Sequence, residues 1–302
     1  MSSSRTEKSI LDLRSLEKTK INFLFSLADQ LASNSSLTSK GFGKTGALLF
    51  FEASTRTRMS FETACARLGV YPLLLDGKSG SSLEKGETLE DTVLNVAAMK
   101  PAFVVIRAGE DLDLYDIAEK ISCPVLNAGW GKQGHPTQAL LDAYTIRKHL
   151  GTCEGQRVLI VGDIRHSRVA ASHLELAQKL NYEVALCGPV EFLPVAPTVK
   201  VFETLQEGLK WATVAMTLRV QLERHAAKYS LEEYRDQYGF TVQNLKALSM
   251  KSLILHPGPI NQGTEMDGEV LLDSRCQVLD QVSNGVLIRQ ALLHEVLSEG
   301  EL

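Results

Sequence analysis

The stretch "GALLFFEASTRTRMSFETACARLG", Gly46 to Gly69, joins a strand pattern to a helix pattern through a short polar segment. Its first residues, Gly46 to Phe51, form an apolar run of the strand type. After the polar segment, apolar residues recur at the i, i+3, i+4 and i+7 spacing of one helix face: Phe61, Ala64, Cys65 and Leu68. Gly69 is a typical residue for ending such a helix. A strand followed directly by a helix is the repeating unit of an α/β fold.

The same alternation continues along the whole chain. Further strand-type runs are Tyr71–Leu75, Phe103–Arg107 and Cys123–Gly129, and then Arg157–Asp163, Glu183–Gly188, Ala212–Arg219 and Ser252–Pro259. Apolar runs separated by helical patterns are typical of parallel strands covered on both faces. We therefore predict an α/β fold of two doubly wound parallel-sheet domains, with the active site in the cleft between them. The expected domains are residues 1–149 and 150–284, and the last helix, 285–302, is expected to pack back on the first domain.

The overall composition excludes several classes of protein. With 32 basic and 36 acidic residues the formal net charge is −4, which offers no general attraction to nucleic acid or to an anionic membrane. No apolar run reaches the length of a membrane span, and the first residues lack the apolar core of a signal peptide, so we expect a cytoplasmic protein. The five cysteines form no CxxC pair and favour neither a disulfide framework nor a zinc site.

The polar segment Ser54–Thr57 lies where the first strand gives way to its helix. Backbone N–H groups and the positive end of the helix dipole point out of such a terminus. An ordinary N-cap needs one hydroxyl, whereas three hydroxyl residues and two arginines, Arg56 and Arg58, occur within five residues here. This density of donors predicts a phosphate or carboxylate site instead of a simple cap.

A second polar helix start follows the run Cys123–Gly129. His135 is expected near the N-cap, with Pro136 at the first helical position and Gln138 in the first turn. Arg107 ends another strand-type run. Because the carboxyl ends of parallel strands meet at one edge of a sheet, all these groups are expected at the same edge, where ligands of α/β folds bind.

The second half carries two arginines at comparable positions. Arg168 is expected near a helix start, and Arg219, followed by Val220 and Gln221, ends a strand-type run. The turn after Arg157–Asp163 has a single glycine, so it does not match a dinucleotide-binding fingerprint. Two guanidinium groups suit a ligand with two carboxylates. The turn "HPGPINQG", His256 to Gly263, could present backbone carbonyls to an ammonium group.

Together these segments resemble the aspartate carbamoyltransferase family. The matching motifs, in the family's order, are "STRTR" (54–58), "SSLEKGET" (81–88), "HPTQ" (135–138), "GDIRHSR" (162–168), "LRVQLER" (218–224) and "HPGPINQG" (256–263). Ornithine carbamoyltransferases share the first and third motifs, whereas "LRVQLER" and "HPGP" are specific to the aspartate enzymes. Gln262 departs from the pattern, since related bacterial chains usually have arginine there.

The resemblance implies a site for each of two substrates and requires no cofactor or metal. For carbamoyl phosphate it implies Ser54, Thr55, Arg56, Thr57, Arg107, His135 and Gln138, with Ser81 and Lys85 supplied by a neighbouring subunit of a homotrimer. For aspartate it implies Arg168, Arg219, Gln221, Lys85 and the backbone of Pro257 and Gly258. The residues implied to act on the reacting groups are Arg56, Thr57, Lys85, Arg107 and His135. Composition and periodicity alone assign Lys85 only to a solvated loop.

Two other functions remain open from the residues. A carbamoyltransferase for ornithine would keep the motifs of the first half, but a cationic side chain would be repelled by two arginines in the second. A non-catalytic paralogue would be expected to lose polar groups, and none of the motif residues is missing. The sequence leaves open a regulatory chain or a dihydroorotase as a partner.

Overall fold

A computed structural model of the protein describes residues 9–33, 40–77, 82–220 and 230–298. The described residues form two compact units. The first combines the residues up to Leu141 with those from Val282 onward, and the second is Asp142–Gln281. Both divisions fall within helices. No helix of the described ranges has the length and apolarity needed to cross a lipid bilayer.

The first unit contains a parallel sheet of four strands in the order β2-β1-β3-β4. Its elements, in chain order, are α1 (Lys18–Ser33), β1 (Thr45–Phe50), α2 (Thr55–Leu68), β2 (Tyr71–Asp76), α3 (Leu89–Ala98), β3 (Val104–Ala108), α4 (Leu114–Lys120), β4 (Val125–Trp130) and α5 (Pro136–Leu150). The central strands β1 and β3 supply buried Leu49 and Ile106 to a core that includes Val93 of α3 and Ile117 of α4. This core fixes where the carboxyl ends of the strands lie.

The second unit contains a parallel sheet of five strands in the order β7-β6-β5-β8-β9. Its elements are β5 (Arg157–Val161), α6 (Arg168–Leu180), β6 (Glu183–Cys187), β7 (Lys200–Phe202), α7 (Leu205–Trp211), β8 (Val214–Thr217), α8 (Leu231–Tyr238), β9 (Leu253–Leu255) and the long α9 (Val278–Ser298), which continues into the first unit. One face of this sheet buries Leu159, Ala215 and Ile254 against Phe240 and Leu245.

The predicted fold class is confirmed. All eight predicted strands are present with different ends, and the largest change is in the last, where Ser252–Pro259 was predicted and the strand is Leu253–Leu255. Gly69 ends α2 in the left-handed conformation, with φ +73°. Its N–H donates a hydrogen bond to the carbonyl of Ala66. The three-residue strand β7 was not predicted, because an edge strand so short shows no apolar run that could be told from a loop.

Candidate active site

The start of α2 leaves its donors available. Ser54 occupies the N-cap position with φ −162° and ψ 89°, and its side chain makes no capping hydrogen bond. The first turn contains no acidic residue, so no carboxylate of that turn competes for the positive end of the helix dipole. Thr57 is buried, whereas Thr55 and Arg56 are exposed. The arrangement is that of an anion-binding terminus instead of an ordinary capped one.

The two arginines of this segment have different surroundings. Arg58 donates Nη1 to the carboxylate of Asp76, and its Nε lies 3.9 Å from Glu62 Oε2. In the part of the chain that the structure describes, no carboxylate pairs with Arg56. Partial burial of the guanidinium lowers the pKa of Arg56 from its ordinary value. Arg56 is therefore the arginine of the pair with charge to offer an anion.

Arg107 lies at the carboxyl end of β3, directly beside the loop that leads into α2. It pairs in register with Phe50, and its carbonyl accepts a hydrogen bond of 2.9 Å from the N–H of Phe51. Its Nη1 donates to the carbonyl of Ala128 at 3.3 Å, and its Nε lies 3.8 Å from Glu52 Oε2. The backbone of β4 and the carboxylate of Glu52 thus orient this guanidinium. Sequence reasoning missed Glu52, although it is two residues before Ser54.

The start of α5 buries its polar residues. The carbonyl of His135 accepts from the N–H of Gln138 at 2.9 Å, which makes His135 the residue that opens the helix. His135, Thr137 and Gln138 are all less than 8% exposed. Burial of this kind requires hydrogen-bond partners in the protein or in a ligand. The predicted position of Pro136 at the first turn is confirmed.

The side chain of Asn127 in β4 holds the backbone of the loop that precedes His135. Its Nδ2 donates to the carbonyls of Leu11 at 2.7 Å and Gly134 at 3.4 Å, and its Oδ1 accepts from the N–H of Gly129 at 2.7 Å. This side chain was not singled out from the sequence. The available signal was an asparagine within an otherwise apolar strand run, a residue that needs buried partners.

These groups meet at one edge of the first sheet. Strand β3 lies between β1 and β4, so Arg107, the last but one residue of β3, lies between the strands that lead to α2 and α5. We name Ser54, Thr55, Arg56, Thr57, Arg107, His135 and Gln138 the first half-site. It combines cationic groups, a helix terminus and buried neutral donors, a set that can hold a phosphate and polarise a neighbouring carbonyl.

Lys85 is an exposed residue of a short turn. It is the exposed last residue of a single 3₁₀ turn, Ser82–Lys85. Within the described ranges it makes no hydrogen bond or ion pair with a first half-site residue. Ser81, the other residue implied to serve a neighbouring subunit, lies outside the described residues.

The second unit places two arginines after neighbouring strands. Arg168 is the first residue of α6, whose N-cap Ser167 accepts from the N–H of Ala170 at 3.2 Å. Arg219 is exposed and follows β8 by two residues. Strands β5 and β8 are paired, and Leu218 donates its N–H to the carbonyl of Val161 at 2.8 Å. Gln221 lies outside the described residues.

The turn after β9 at the same sheet edge is held by buried side chains. The N–H of Gly258, a residue with φ +71°, donates to His256 Nδ1 at 2.7 Å. His256 Nε2 lies 3.4 Å from Glu265 Oε1, which also accepts the N–H of Asn261 at 2.5 Å. Arg168, Arg219, Pro257 and Gly258 form what we name the second half-site.

Sequence reasoning missed both side chains that hold this turn from outside the motif, Glu265 and Gln281. Gln281 Oε1 accepts the backbone N–H of His256 at 2.9 Å, and its Nε2 donates to Asp142 at 2.7 Å. Glu265 and Gln281 are no more than 3% exposed. Gln281 lies on the distant helix α9, so no local pattern links it to the turn.

Comparisons with protein families match almost the whole chain. The family model described as "Aspartate/ornithine carbamoyltransferase, carbamoyl-P binding domain" matches residues 8–148. The model described as "Aspartate/ornithine carbamoyltransferase, Asp/Orn binding domain" matches residues 154–296. Each half-site therefore falls within one of the two family models.

Individual relatives cover similar lengths. The aspartate carbamoyltransferase catalytic subunit of Geobacter sulfurreducens is 41% identical over 305 residues, 98% of this chain and 97% of that protein. The one from Gemmatimonas aurantiaca is 47% identical over 83% of this chain and 80% of that protein.

Solved structures are similar over nearly the full length. The catalytic subunit of M. jannaschii aspartate transcarbamoylase has a TM-score of 0.85 at 28% identity, covering 97% of this chain and 99% of that one. Aspartate transcarbamoylase from Trypanosoma cruzi, in complex with carbamoyl aspartate and phosphate, has a TM-score of 0.84 at 26% identity, covering 97% of each chain.

Proposed function

The chain belongs to the aspartate/ornithine carbamoyltransferase family, and from this premise we propose which of its residues carry out the reaction. It is a transferase that moves the carbamoyl group of carbamoyl phosphate to the amine of L-aspartate. The products are N-carbamoyl-L-aspartate and phosphate, and the family places this reaction in pyrimidine biosynthesis. The observation that favours aspartate over ornithine is the pair Arg168 and Arg219 after adjacent strands.

The first half-site binds carbamoyl phosphate in this proposal. The phosphate lies at the start of α2, where Ser54, Thr55 and Thr57 supply donors and Arg56 supplies charge. Arg107, oriented by Ala128 and Glu52, contacts both the phosphate and the carbamoyl oxygen. Charge-assisted hydrogen bonds of this kind are stronger than those between neutral groups.

His135 and Gln138 address the carbamoyl group. When the amine attacks, the carbonyl oxygen gains negative charge, and donors already aimed at it stabilise the transition state. His135 serves as a neutral donor together with Thr57 and Arg107. Gln138 holds the carbamoyl NH₂ through its side-chain oxygen.

The second half-site binds aspartate in this proposal. Arg168 and Arg219, with Gln221, hold its two carboxylates, and the carbonyls of Pro257 and Gly258 accept hydrogen bonds from its amine. The attacking amine forms the C–N bond, the bond from carbon to the phosphate oxygen breaks, and the departing phosphate takes the amine proton. Because phosphate is a good leaving group when its charge is neutralised by Arg56 and Lys85, no covalent intermediate is needed. Alignment of the two substrates supplies much of the acceleration.

The domain assignment is also part of the proposal. We assign residues 1–149 to carbamoyl phosphate, 150–284 to aspartate and 285–302 to the helix that completes the first domain. The divisions near Leu141 and Val282 and the change of family model between residues 148 and 154 support this assignment.

Assembly and location are inferred in the same way. A homotrimer in which Ser81 and Lys85 complete a neighbour's site is supported by the exposure of Lys85, which makes no hydrogen bond or ion pair with its own first half-site in the described ranges. A cytoplasmic location is supported by five free thiols, since such thiols are typical of reducing compartments. Analytical ultracentrifugation and cell fractionation test these two points.

Phosphate release from carbamoyl phosphate tests the reaction itself. The purified protein is incubated with L-aspartate, with L-ornithine or with no amine. We expect release only with aspartate, together with carbamoyl aspartate as product. Release with ornithine but not with aspartate would mean that the second half-site is wrongly interpreted. If the folded protein releases no phosphate with either amine, the proposed enzyme activity is contradicted.

A further inference from the structure

Arg289 of α9 is a buried cation that contacts both helices of the first half-site. It is only 3% exposed. Its Nη1 donates to Ser60 Oγ of α2 at 2.6 Å, and its Nη2 donates to Thr137 Oγ1 of α5 at 3.4 Å. Its guanidinium also lies 5.3 Å from the ring centre of Phe61. A guanidinium is costly to bury, so these contacts indicate a specific role for it.

The hydroxyls of Ser60 and Thr137 each contact a residue of the first half-site in turn. Ser60 Oγ donates to the carbonyl of Thr57 at 3.0 Å. Thr137 Oγ1 lies 3.5 Å from His135 Nδ1. Arg289 is therefore linked through the hydroxyl of Ser60 to the backbone of Thr57, and through the hydroxyl of Thr137 to the imidazole of His135.

The direction of these hydrogen bonds follows from the chemistry of arginine. Its guanidinium can only donate, so the hydroxyls of Ser60 and Thr137 accept from it and their own protons point elsewhere. The proton of Ser60 goes to the carbonyl of Thr57, which can only accept. The proton of Thr137 can be donated to His135 Nδ1, which lies 3.5 Å away, and Nδ1 is then the acceptor nitrogen of the ring. In a neutral imidazole the proton must be on the other nitrogen, Nε2.

We propose that Arg289 is a positioning residue that sets the tautomer of His135 and ties the start of α2 to the start of α5. The relay from Arg289 through Thr137 keeps His135 as an Nε2–H donor, the form that can stabilise the developing oxyanion. The branch through Ser60 fixes the backbone of Thr57 at the phosphate end. This inference rests on the proposed function of the first half-site.

The matched variants Thr137→Val and Thr137→Ser test the relay without removing the buried cation. Valine has nearly the shape of threonine but lacks the hydroxyl, whereas serine keeps it. We expect Thr137→Val to lower kcat by about 10- to 100-fold, the usual effect of losing a group that orients a reacting one. KM for aspartate should change by less than about two-fold, because the second half-site is untouched. Thr137→Ser should retain most of the activity.

A spectroscopic measurement separates this inference from the proposed reaction. ¹⁵N NMR of histidine-labelled protein, with His135→Gln used for assignment, reports which ring nitrogen carries the proton. We expect the Nε2–H form of His135 in the wild type and in Thr137→Ser, and a mixture of forms in Thr137→Val. A wild-type Nδ1–H form, or an unchanged kcat in Thr137→Val, would overturn the relay. An inactive wild type with the Nε2–H form would overturn the proposed reaction alone.

Arg289→Gln and Arg289→Lys extend the test to the cation. We expect Arg289→Gln to reproduce the mixed tautomer and Arg289→Lys to restore part of the activity, since lysine is also only a donor. Arg275→Gln is the control, because Arg275 is a buried arginine of the second unit that bonds Asp273 and the carbonyls of Leu245 and Leu248. A tautomer change in that control, or a wild-type tautomer in Arg289→Gln, would contradict the role of Arg289.

Discussion

Arg56 and Arg58 are two positions apart in the chain, and they differ in the carboxylates that surround them. Arg58 pairs with Asp76 and approaches Glu62, whereas no carboxylate of the described residues pairs with Arg56. A helix places residues two positions apart on different faces, so Arg58 reaches the end of β2 at Asp76 whereas Arg56 does not. Arg56, which pairs with no carboxylate in the described ranges, is therefore the arginine that we propose for the phosphate.

The variants Arg56→Ala and Arg58→Ala should therefore behave differently. We expect Arg56→Ala to reduce kcat by about 10²- to 10³-fold, as for the loss of one aligned transition-state donor. Arg58→Ala should keep kcat within a few-fold and lower the free energy of unfolding by at most about 1 kcal/mol, the value of a surface ion pair. Steady-state kinetics and urea unfolding of both variants check this. Equal losses of activity would contradict the distinction.

The turn after β9 shows how an element is shaped by residues outside it. His256 supports the turn with its ring, while Glu265 and Gln281 hold His256 and Asn261 from later positions in the chain. The N–H of Gly258 donates to Nδ1, and the other ring nitrogen, Nε2, lies 3.4 Å from Glu265 Oε1. Glu265 thus places a carboxylate beside the ring and also accepts the N–H of Asn261.

Glu265→Gln tests the contribution of that carboxylate to aspartate binding. Glutamine keeps the volume but weakens the acceptor of the Asn261 N–H and removes the charge beside His256, so the carbonyls of Pro257 and Gly258 should lose their alignment. We expect KM for aspartate to rise by about ten-fold, equivalent to roughly 1.4 kcal/mol, while KM for carbamoyl phosphate stays unchanged. Glu269→Gln, at an exposed carboxylate four residues on, is the control. A change confined to KM for carbamoyl phosphate would show that this turn does not serve aspartate.

In the whole molecule, the proposed homotrimer makes each active site depend on two chains. Arg56→Ala and Lys85→Ala subunits are each expected to be inactive alone, because each removes a different part of every site. In a mixed trimer, one interface combines an intact Arg56 with an intact Lys85 from its neighbour. Random mixing of equal amounts should therefore restore about one quarter of the wild-type activity.

Two controls make this complementation decisive. Exchange of subunits is followed by native mass spectrometry of differently labelled chains, so that a failure to mix is recognised. Refolding each variant with itself should give no activity. Mixed trimers that remain inactive would show that Lys85 does not complete a neighbouring site.

The sequence by itself determined the fold class and most of the motif residues at the strand ends. Apolar periods of two and 3.6 residues are local properties, so the strands and helices around Gly46–Gly69 follow from neighbouring residues alone. The parallel order of such units then places the starts of α2 and α5 at one sheet edge, as predicted. The types of side chain at those positions, including Arg56 and His135, are also plain in the sequence.

Only the tertiary structure decided which side chains hold these groups in place. Glu52, Asn127, Glu265, Gln281 and Arg289 all support a half-site, and each does so through a contact with a residue distant in the chain or through a loop whose shape the pattern does not show. Such contacts depend on how buried surfaces pack, and packing satisfies polar groups by proximity in space instead of spacing in the chain. That is why an arginine 229 residues from Ser60 could be assigned to the start of α2 only once the chain was folded.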